Sequence, residues 1–415
     1  MYRIVQKFGG TSVADTQRIK EAAKKVAFEH SQGHQVVVVV SAMAGVTNKL
    51  IEFKNSVNNS LDASEYDVVL SSGEQTSAAL MALALQNLGV RARSWLGWQI
   101  PIWTDNVHGK ARITGIETDL LENQLKENEI VVVAGFQGLT PDKRITTLGR
   151  GGSDLTAVAL AGALRARQCD IFTDVEGIYT CDPRIVSSAS KLDKITYEEM
   201  MEMSSLGAKV LQTRAVELAM NYNVRIQVRS AFIDSPGTYL VSEDEIVEQQ
   251  VVSGISHNRD EAKVTLLKVS DRPGVAAGVF GPLAEASVNV DMIVQNVSED
   301  GKTTDLTFTV GQADLNLAVE VLKTRKDEIG FHKIVADAEL VKISIVGVGM
   351  RSHPGVAQTM FNALAKEGIN IKVISTSEIK VSILIDEEYT ELALKALHSA
   401  YGLDRDTDRI GSPRH

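Results

Sequence analysis

Cysteine is nearly missing, with Cys169 and Cys181 the only two in 415 residues. Neither stands in a CxxC pair or at metal-ligand spacing, which excludes a disulfide scaffold and a cysteine metal site and leaves both as structural thiols. Long apolar runs are missing too. The longest aliphatic stretch, Val36 to Val40, is far too short to span a bilayer. The N-terminal MYRIVQKFGG enters a strand-like pattern without the apolar segment and small-residue cleavage site of a secretory leader. A soluble, cytoplasmic chain with no membrane partner is expected. Positive charge is in deficit, 43 Lys and Arg against 53 Asp and Glu. A net charge of -10 argues against nucleic acid or an anionic membrane as partner. It does not argue against a small anionic substrate, because a cleft in an acidic protein can be locally positive, so the decisive cations are sought by position.

What is present is ordinary globular composition, 44% hydrophobic and 23% charged, at a length that calls for two or three domains. The first 230 residues alternate β-branched runs with helical patterns, the mark of parallel strands joined by crossover helices. Strands are predicted at Ile4 to Lys7, Val36 to Ser41, Ile130 to Ala134, Ile171 to Asp174 and Arg225 to Arg229, and helices at Thr16 to His30 and Ser77 to Leu88. A layered α/β sandwich over 1–230 follows. The Asp-, Ser- and Glu-rich segment 231–252, with a Ser235-Pro236-Gly237 turn, reads as a passage between domains.

The last 150 residues or so repeat internally. Pro273, Gly274, Val275, Ala276, Phe280, Leu283 and Asn289 recur as Pro354, Gly355, Val356, Ala357, Phe361, Leu364 and Asn370, each displaced by 81 positions. Each copy reads strand, helix opening at PGVA, a strand opening with Asn, then a further strand and helix, giving units at 253–335 and 336–415. A duplicated packing unit without a ligand is the alternative, since a repeat alone does not imply binding.

The clearest chemical signal is Lys7-Phe8-Gly9-Gly10-Thr11-Ser12, where a strand ends in a lysine, two glycines and hydroxyl residues able to cap a helix. Such a turn aims backbone N–H groups at one spot and lets a phosphate approach closely, although a plain strand-to-helix turn has the same ingredients. Spacing eliminates two other phosphate sites. Ahead of Gly301-Lys302-Thr303 a P-loop would need glycine where Asn296 stands, and Gly347-Val348-Gly349 has Ser352 where a dinucleotide fingerprint needs its third glycine. A second glycine loop, Thr147-Leu148-Gly149-Arg150-Gly151-Gly152-Ser153-Asp154, precedes an alanine-rich helix from Leu155 to Leu164. Thr173-Asp174-Val175 closes a strand, with Tyr179 to Arg184 (YTCDPR) as the loop after it, where α/β sheets bind ligands. Gly207-Ala208-Lys209 adds one more lysine before a helical run.

KFGGTS, SAMAGVTN from Ser41 to Asn48, SSGEQ from Ser71 to Gln75, TLGRGGSD, TDVEGIYTCDPR and GAKVL together resemble the amino-acid kinase family, and within it the aspartate kinases. The two repeats resemble ACT domains. The resemblance covers essentially the whole chain. It implies a three-layer α/β sandwich with a mainly parallel central sheet, followed by two ferredoxin-like ACT domains, and transfer of phosphate from ATP to the side-chain carboxylate of L-aspartate. The acceptor is already ionised at neutral pH, so it needs no general base. The difficulty is repulsion between two anions, which fixed cations relieve. The resemblance implies Lys7, Arg150, Asp154 and Lys209 as the catalytic set. Lys7 is expected at the transferring group, Lys209 at the nucleotide phosphates and Asp154 between the lysines. ATP is expected to meet Lys7, Phe8, Gly9, Gly10, Ser41, Thr173, Asp174, Tyr179, Asp182, Pro183, Arg184 and Lys209. Aspartate is expected to meet Thr47, Glu74, Arg150, Gly151, Gly152 and Ser153, with Arg150 on its α-carboxylate and Glu74 at its ammonium. Magnesium enters with ATP, held mainly by phosphates and water, so no protein ligand is named.

The ACT resemblance places an amino-acid effector at Asp271, Gly274, Val275, Ala276, Ala277, Asn289, Gln295 and Asn296 of the first copy. The equivalents in the second are Gly355, Val356, Asn370, Ile371, Thr376 and Ser377. Lysine, threonine or both are the expected effectors. A homo-oligomer paired through the ACT repeats is expected, or assembly with a shorter regulatory subunit. Kinases of glutamate, acetylglutamate or carbamate share the nucleotide loops, and a sensor that has lost activity would keep the fold. SSGEQ and SAMAGVTN favour aspartate over the first group, and the intact Lys7, Arg150, Asp154 and Lys209 argue against the second. The chain stops soon after the second repeat, so a fused homoserine dehydrogenase is not expected.

Overall fold

Runs such as QVVVVV at 35–40 carry no polar face, so they persist only where both sides of a sheet are covered. The computed structural model describes residues 2–57, 62–207, 210–246, 251–297 and 302–404. It forms two compact units: Met1–Tyr179 with Lys191–Ser205 and Lys209–Glu248, and Thr180–Ser190 with Leu206–Ala208 and Gln249–His415.

The first unit is built on an eight-stranded sheet. In chain order its strands are β1 (Arg3–Phe8), β2 (Gln35–Val40), β3 (Ala92–Trp95), β6 (Ile130–Ala134), β9 (Gln168–Thr173), β10 (Lys194–Thr196), β11 (Ile226–Ser230) and β12 (Thr238–Val241). A smaller four-stranded sheet holds β4 (Ile102–Thr104), β5 (Ile113–Ile116), β7 (Gln137–Leu139) and β8 (Ile145–Thr147). The large sheet runs β10-β12-β11-β9-β1-β2-β6-β3, and the six strands from β11 to β3 are all parallel. Val36, Val38 and Val40 pack with α1 (Thr16–Ser31) and α3 (Ala63–Asn87), while α5 (Gly152–Ala163) packs on β1, β2 and β9. Those are the layers of the sandwich.

Two sequence expectations change here. The 231–252 segment contributes β12 to the eight-stranded sheet, antiparallel to β11. Helix α3 begins at Ala63, well ahead of the expected Ser77, so SSGEQ is helical. Asp62 caps it by accepting from Ser64 N–H at 3.0 Å, and the Ser71 and Ser72 hydroxyls donate back to the Val68 and Val69 carbonyls, which makes the serines compatible with a helix interior. Among the described residues α3 is the one helix long and apolar enough to match a membrane span, yet it buries Asp67 and Glu74.

The second unit is a six-stranded antiparallel sheet of β13 (Gly254–Ser270), β14 (Val294–Val297), β15 (Thr303–Val310), β16 (Lys333–Val346), β17 (Val373–Thr376) and β18 (Lys380–Asp386), in the order β14-β15-β13-β16-β18-β17. Each repeat supplies a first helix, α8 (Val275–Glu285) or α11 (Val356–Lys366), and a later one, α9 (Leu315–Thr324) or α12 (Thr390–Ala400). The first helices begin two residues after their prolines, on Gly274 and Gly355 caps with φ of +91° and +93°. The left-handed cap is the reason both copies keep glycine there. Strands β13 and β16 are long enough to serve both repeats, pairing as Lys263–Leu267 with Lys333–Asp337 and as Gly254–Asn258 with Lys342–Val346.

Candidate functional site

In a parallel sheet, ligands gather where neighbouring connections leave in opposite directions. Here that point is β1, with β2 on one side and β9 on the other. The chain leaves β1 through Gly9, whose N–H donates to the Phe172 carbonyl at 3.1 Å, and the Ser12 hydroxyl donates to the same oxygen at 3.3 Å. Space is tight. A Cβ on Gly9 would lie 3.3 Å from Lys7 Nζ, and one on Gly10 would lie 3.0 Å from the Ala42 carbonyl. Phe8 itself faces the core, stacked on Phe172 with ring centroids 4.7 Å apart, so its side chain is not in the cleft.

Lys7 is buried, and its ammonium stands 2.6 Å from Asp154 Oδ1 in the first turn of α5, an ion pair rather than an aligned hydrogen bond. Helix α5 starts on Gly151 at φ +70°, so its positive dipole end opens beside that pair, with the Gly152 and Asp154 N–H groups donating to the Gly149 and Gly151 carbonyls. Ser153 is buried next to Gly135 at the end of β6, where a Cβ would come within 2.7 Å of Ser153 Oγ. Phe136 holds a left-handed φ of +72°, unusual for a bulky residue, with its ring against Gly152. Arg150 is exposed and has no ion pair among the described residues.

Glu74 lies on the inner face of α3. Its Oε1 accepts the Ala42 N–H at 3.0 Å, while Oε2 is buried with no partner among the described residues. Burial pushes its pKa up to about 7, against the pull of the Ala42 hydrogen bond. Ser41 follows directly on β2, and Thr47 lies in the first turn of α2 (Val46–Val57), which packs on α3. Thr173 ends β9 and Asp174 and Tyr179 follow it in the same unit, and the Thr173 hydroxyl donates to Asp174 at 3.2 Å.

Asp182, Pro183 and Arg184 belong to the second unit, where Cys181 and Val186 enter its core and the Thr180 hydroxyl meets the buried His398 Nε2 at 2.9 Å. The Arg184 guanidinium donates to Asp182 at 2.7 and 3.0 Å, which holds that carboxyl below the usual range. Lys209 lies outside the described residues.

Residues that sequence reasoning missed surround the Arg150 loop. Asp67, fully buried on α3, accepts from Thr147 Oγ1 at 2.6 Å and from Gly109 N–H at 3.0 Å, and meets His108 Nδ1 at 2.8 Å. Arg214, in α7 (Thr213–Tyr222), donates to the Leu148 and Ala111 carbonyls, each at 2.9 Å. An aspartate inside an apolar helix was the one available signal for the first, and Arg214 had none.

Among the effector candidates, a depression of about 350 Å³ in the second unit is lined by Asn296 from one repeat and Ile371 from the other, together with Lys263, Thr265, Thr307 and Lys372. Ala276, Ala277, Asn289, Gln295, Asn370, Thr376 and Ser377 are exposed, and Asp271 N–H donates to the Lys302 carbonyl at 2.9 Å. Val275 and Val356 are buried as core anchors of their helices.

A glycine-lined turn and a buried lysine–aspartate pair at the start of a helix, on an α/β sandwich, are the ingredients of a phosphate-handling site. The model of the amino acid kinase family matches residues 2–230, and ACT domain models match 263–327 and 343–401. An aspartate kinase of Pseudomonas fluorescens is 54% identical over 97% of this chain and 98% of its own. An aspartokinase of Mycobacterium tuberculosis is 48% identical over 98% of each. The structure of E. coli aspartokinase III with aspartate and ADP superposes with a TM-score of 0.80 at 27% identity, covering 96% of this chain and 99% of that one. The chain belongs to the amino acid kinase family, within its aspartate kinases that carry paired ACT domains.

Proposed function

We propose that this protein transfers the γ-phosphoryl group of ATP to the side-chain carboxylate of L-aspartate, forming 4-phospho-L-aspartate. The observation that carries the reading is the buried Lys7–Asp154 pair at the start of α5, facing glycines that admit a phosphate. Lys7 offsets the charge that spreads over the transferring oxygens, and Asp154 fixes where its ammonium stands. The unpartnered Glu74 Oε2 is suited to the substrate ammonium, Arg150 to the α-carboxylate, and Ser153 and Thr47 to hydrogen bonds along the acceptor. E. coli aspartokinase III has been solved with aspartate and ADP, which supports the same pair of ligands here. A divalent cation, held through phosphates and water, would neutralise the nucleotide.

The Asn296–Ile371 depression is proposed as an amino-acid effector site, with lysine or threonine bound between the repeats. E. coli aspartokinase III has also been solved with lysine and aspartate. On this reading the enzyme stands at the head of lysine, threonine and methionine synthesis, works in the cytoplasm and assembles through its ACT repeats. The test is ATP turnover with aspartate against glutamate, with and without millimolar lysine and threonine. Turnover with aspartate alone, reduced by one or both effectors, is expected; equal turnover with glutamate would overturn the substrate, and indifference to both amino acids the effectors.

A further inference from the structure

An exposed arginine on a glycine loop has no fixed direction of its own, since Gly149 and Gly151 flank Arg150 with φ of +79° and +70°. The chain on both sides is nevertheless held. Before the loop, the Thr147 hydroxyl donates to Asp67, and Ala111 N–H donates to the Thr147 carbonyl at 3.0 Å. Within it, the Leu148 carbonyl accepts from Arg214, whose other nitrogen reaches Ala111. At Gly149 an added Cβ would lie 3.2 Å from the Gly109 carbonyl, and Gly109 is itself bound by Asp67. At Gly151 an added Cβ would meet Gln212 at 2.5 Å, at the start of the helix that carries Arg214. Two charged side chains from separate helices therefore grip the same two segments, 108–111 and 147–149. Asp67 spends its oxygens on the Gly109 N–H, the Thr147 hydroxyl and the His108 imidazole, and Arg214 its nitrogens on two carbonyls, rather than on each other.

We infer that Asp67 and Arg214 are positioning residues for substrate recognition, clamping the 108–111 and 147–149 segments so that Arg150 is held ready for the α-carboxylate of the amino-acid substrate. The inference rests on the reading of Arg150 above. Asp67 also ties this clamp to Glu74, which lies seven residues along α3, about two helical turns, on the same buried face. One rigid helix thus sets the spacing between the group for the ammonium and the group for the carboxylate.

The test compares Asp67→Asn, Thr147→Val, Arg214→Met and Arg150→Ala in the full-length enzyme, measuring KM for aspartate, KM for ATP, kcat and melting temperature. Each clamp variant should raise KM for aspartate about tenfold while KM for ATP stays within twofold, because a sub-ångström misplacement acts only on the ligand that Arg150 touches. Combined with Arg150→Ala, the clamp variants should add little further loss, since the group they orient is gone. Equal rises in both KM values, or losses that multiply with Arg150→Ala, would show a general folding role and overturn the inference. Should Asp67→Asn fail to fold, Thr147→Val and Arg214→Met decide the matter. An Arg150→Ala enzyme with unchanged KM for aspartate would overturn the assignment of Arg150 itself, a separate outcome.

Discussion

Lys7 and Asp154 stand 2.6 Å apart, on the end of the central strand and the first turn of the helix that covers it, with their side chains each 10% exposed. Neither charge is solvated well enough to stand alone, so each depends on the other, and together they place a cation at an anion-binding helix end.

Replacing Lys7 by Ala is therefore expected to lower kcat about 10²- to 10³-fold, the loss typical of one preorganised charge-stabilising donor. Asp154→Asn should lower kcat as well, by releasing the ammonium. Because the two act as a unit, the double variant should be little worse than Lys7→Ala. Steady-state kinetics of the three enzymes check this, and fully multiplicative losses would refute it.

Glu74 at the substrate ammonium, as proposed, should make substrate binding sensitive to pH. With its pKa near 7, it loses the charge that attracts an ammonium as the medium turns acid, so KM for aspartate should rise on going from pH 8 to pH 6. Glu74→Gln should have a high KM that is flat over that range. Stability moves the other way. A carboxyl raised from 4.5 to about 7 disfavours its charged form in the fold by roughly 3 kcal/mol. That penalty is absent below the unfolded value of 4.5, grows as pH rises and is complete above 7. Glu74→Gln should thus melt higher than the native protein at pH 8, with the gain vanishing towards pH 4.5.

Gly135 leaves room for Ser153. A methyl group there would press on Ser153 Oγ at 2.7 Å and on Val39 Cγ1 at 3.0 Å. Gly135→Ala should cost about 1–3 kcal/mol by overpacking and raise KM for aspartate. Chemical denaturation and kinetics read the two effects, and an unaltered protein would mean that Ser153 yields freely.

Asp170 lies buried in the middle of β9, receiving Gln168 Nε2 at 2.6 Å and Gln6 Nε2 at 3.5 Å. Burial pushes its pKa up to about 6, so the charged form weighs on the fold above that pH. Asp170→Asn should gain stability relative to the native protein as pH rises through 4 to 6, with kcat within twofold. A melting-temperature series from pH 4 to 8 checks the sign.

The parallel core was legible because its strands are buried on both faces and carry valine in unbroken runs, and Ile130–Ala134 was bounded correctly on that basis alone. Local turn chemistry likewise announced the Gly9 and Gly151 turns. Helix α3 was shortened because Ser71, Ser72 and Gly73 look like a loop until the hydroxyls are seen bonding to carbonyls one turn back. Strand β12 was hidden because it is only four residues, Thr238–Val241, set in a polar, Pro- and Gly-containing segment. The clamp was illegible for a different reason. Asp67, Thr147 and Arg214 are far apart in the chain, and what joins them is tertiary hydrogen bonding, which leaves no periodic trace.

The long strands β13 and β16 carry a consequence for how this part of the molecule can be inherited or dissected. The sheet of the later repeat is completed by Gly254–Asn258, residues at the very start of the earlier repeat, so one repeat is interleaved with the other. Excising either by a single cut near residue 335 would break β16 and strip both fragments of a neighbour. Only a piece that starts ahead of Gly254 and runs through α12 keeps every strand, and in descent the two repeats must be gained or lost together.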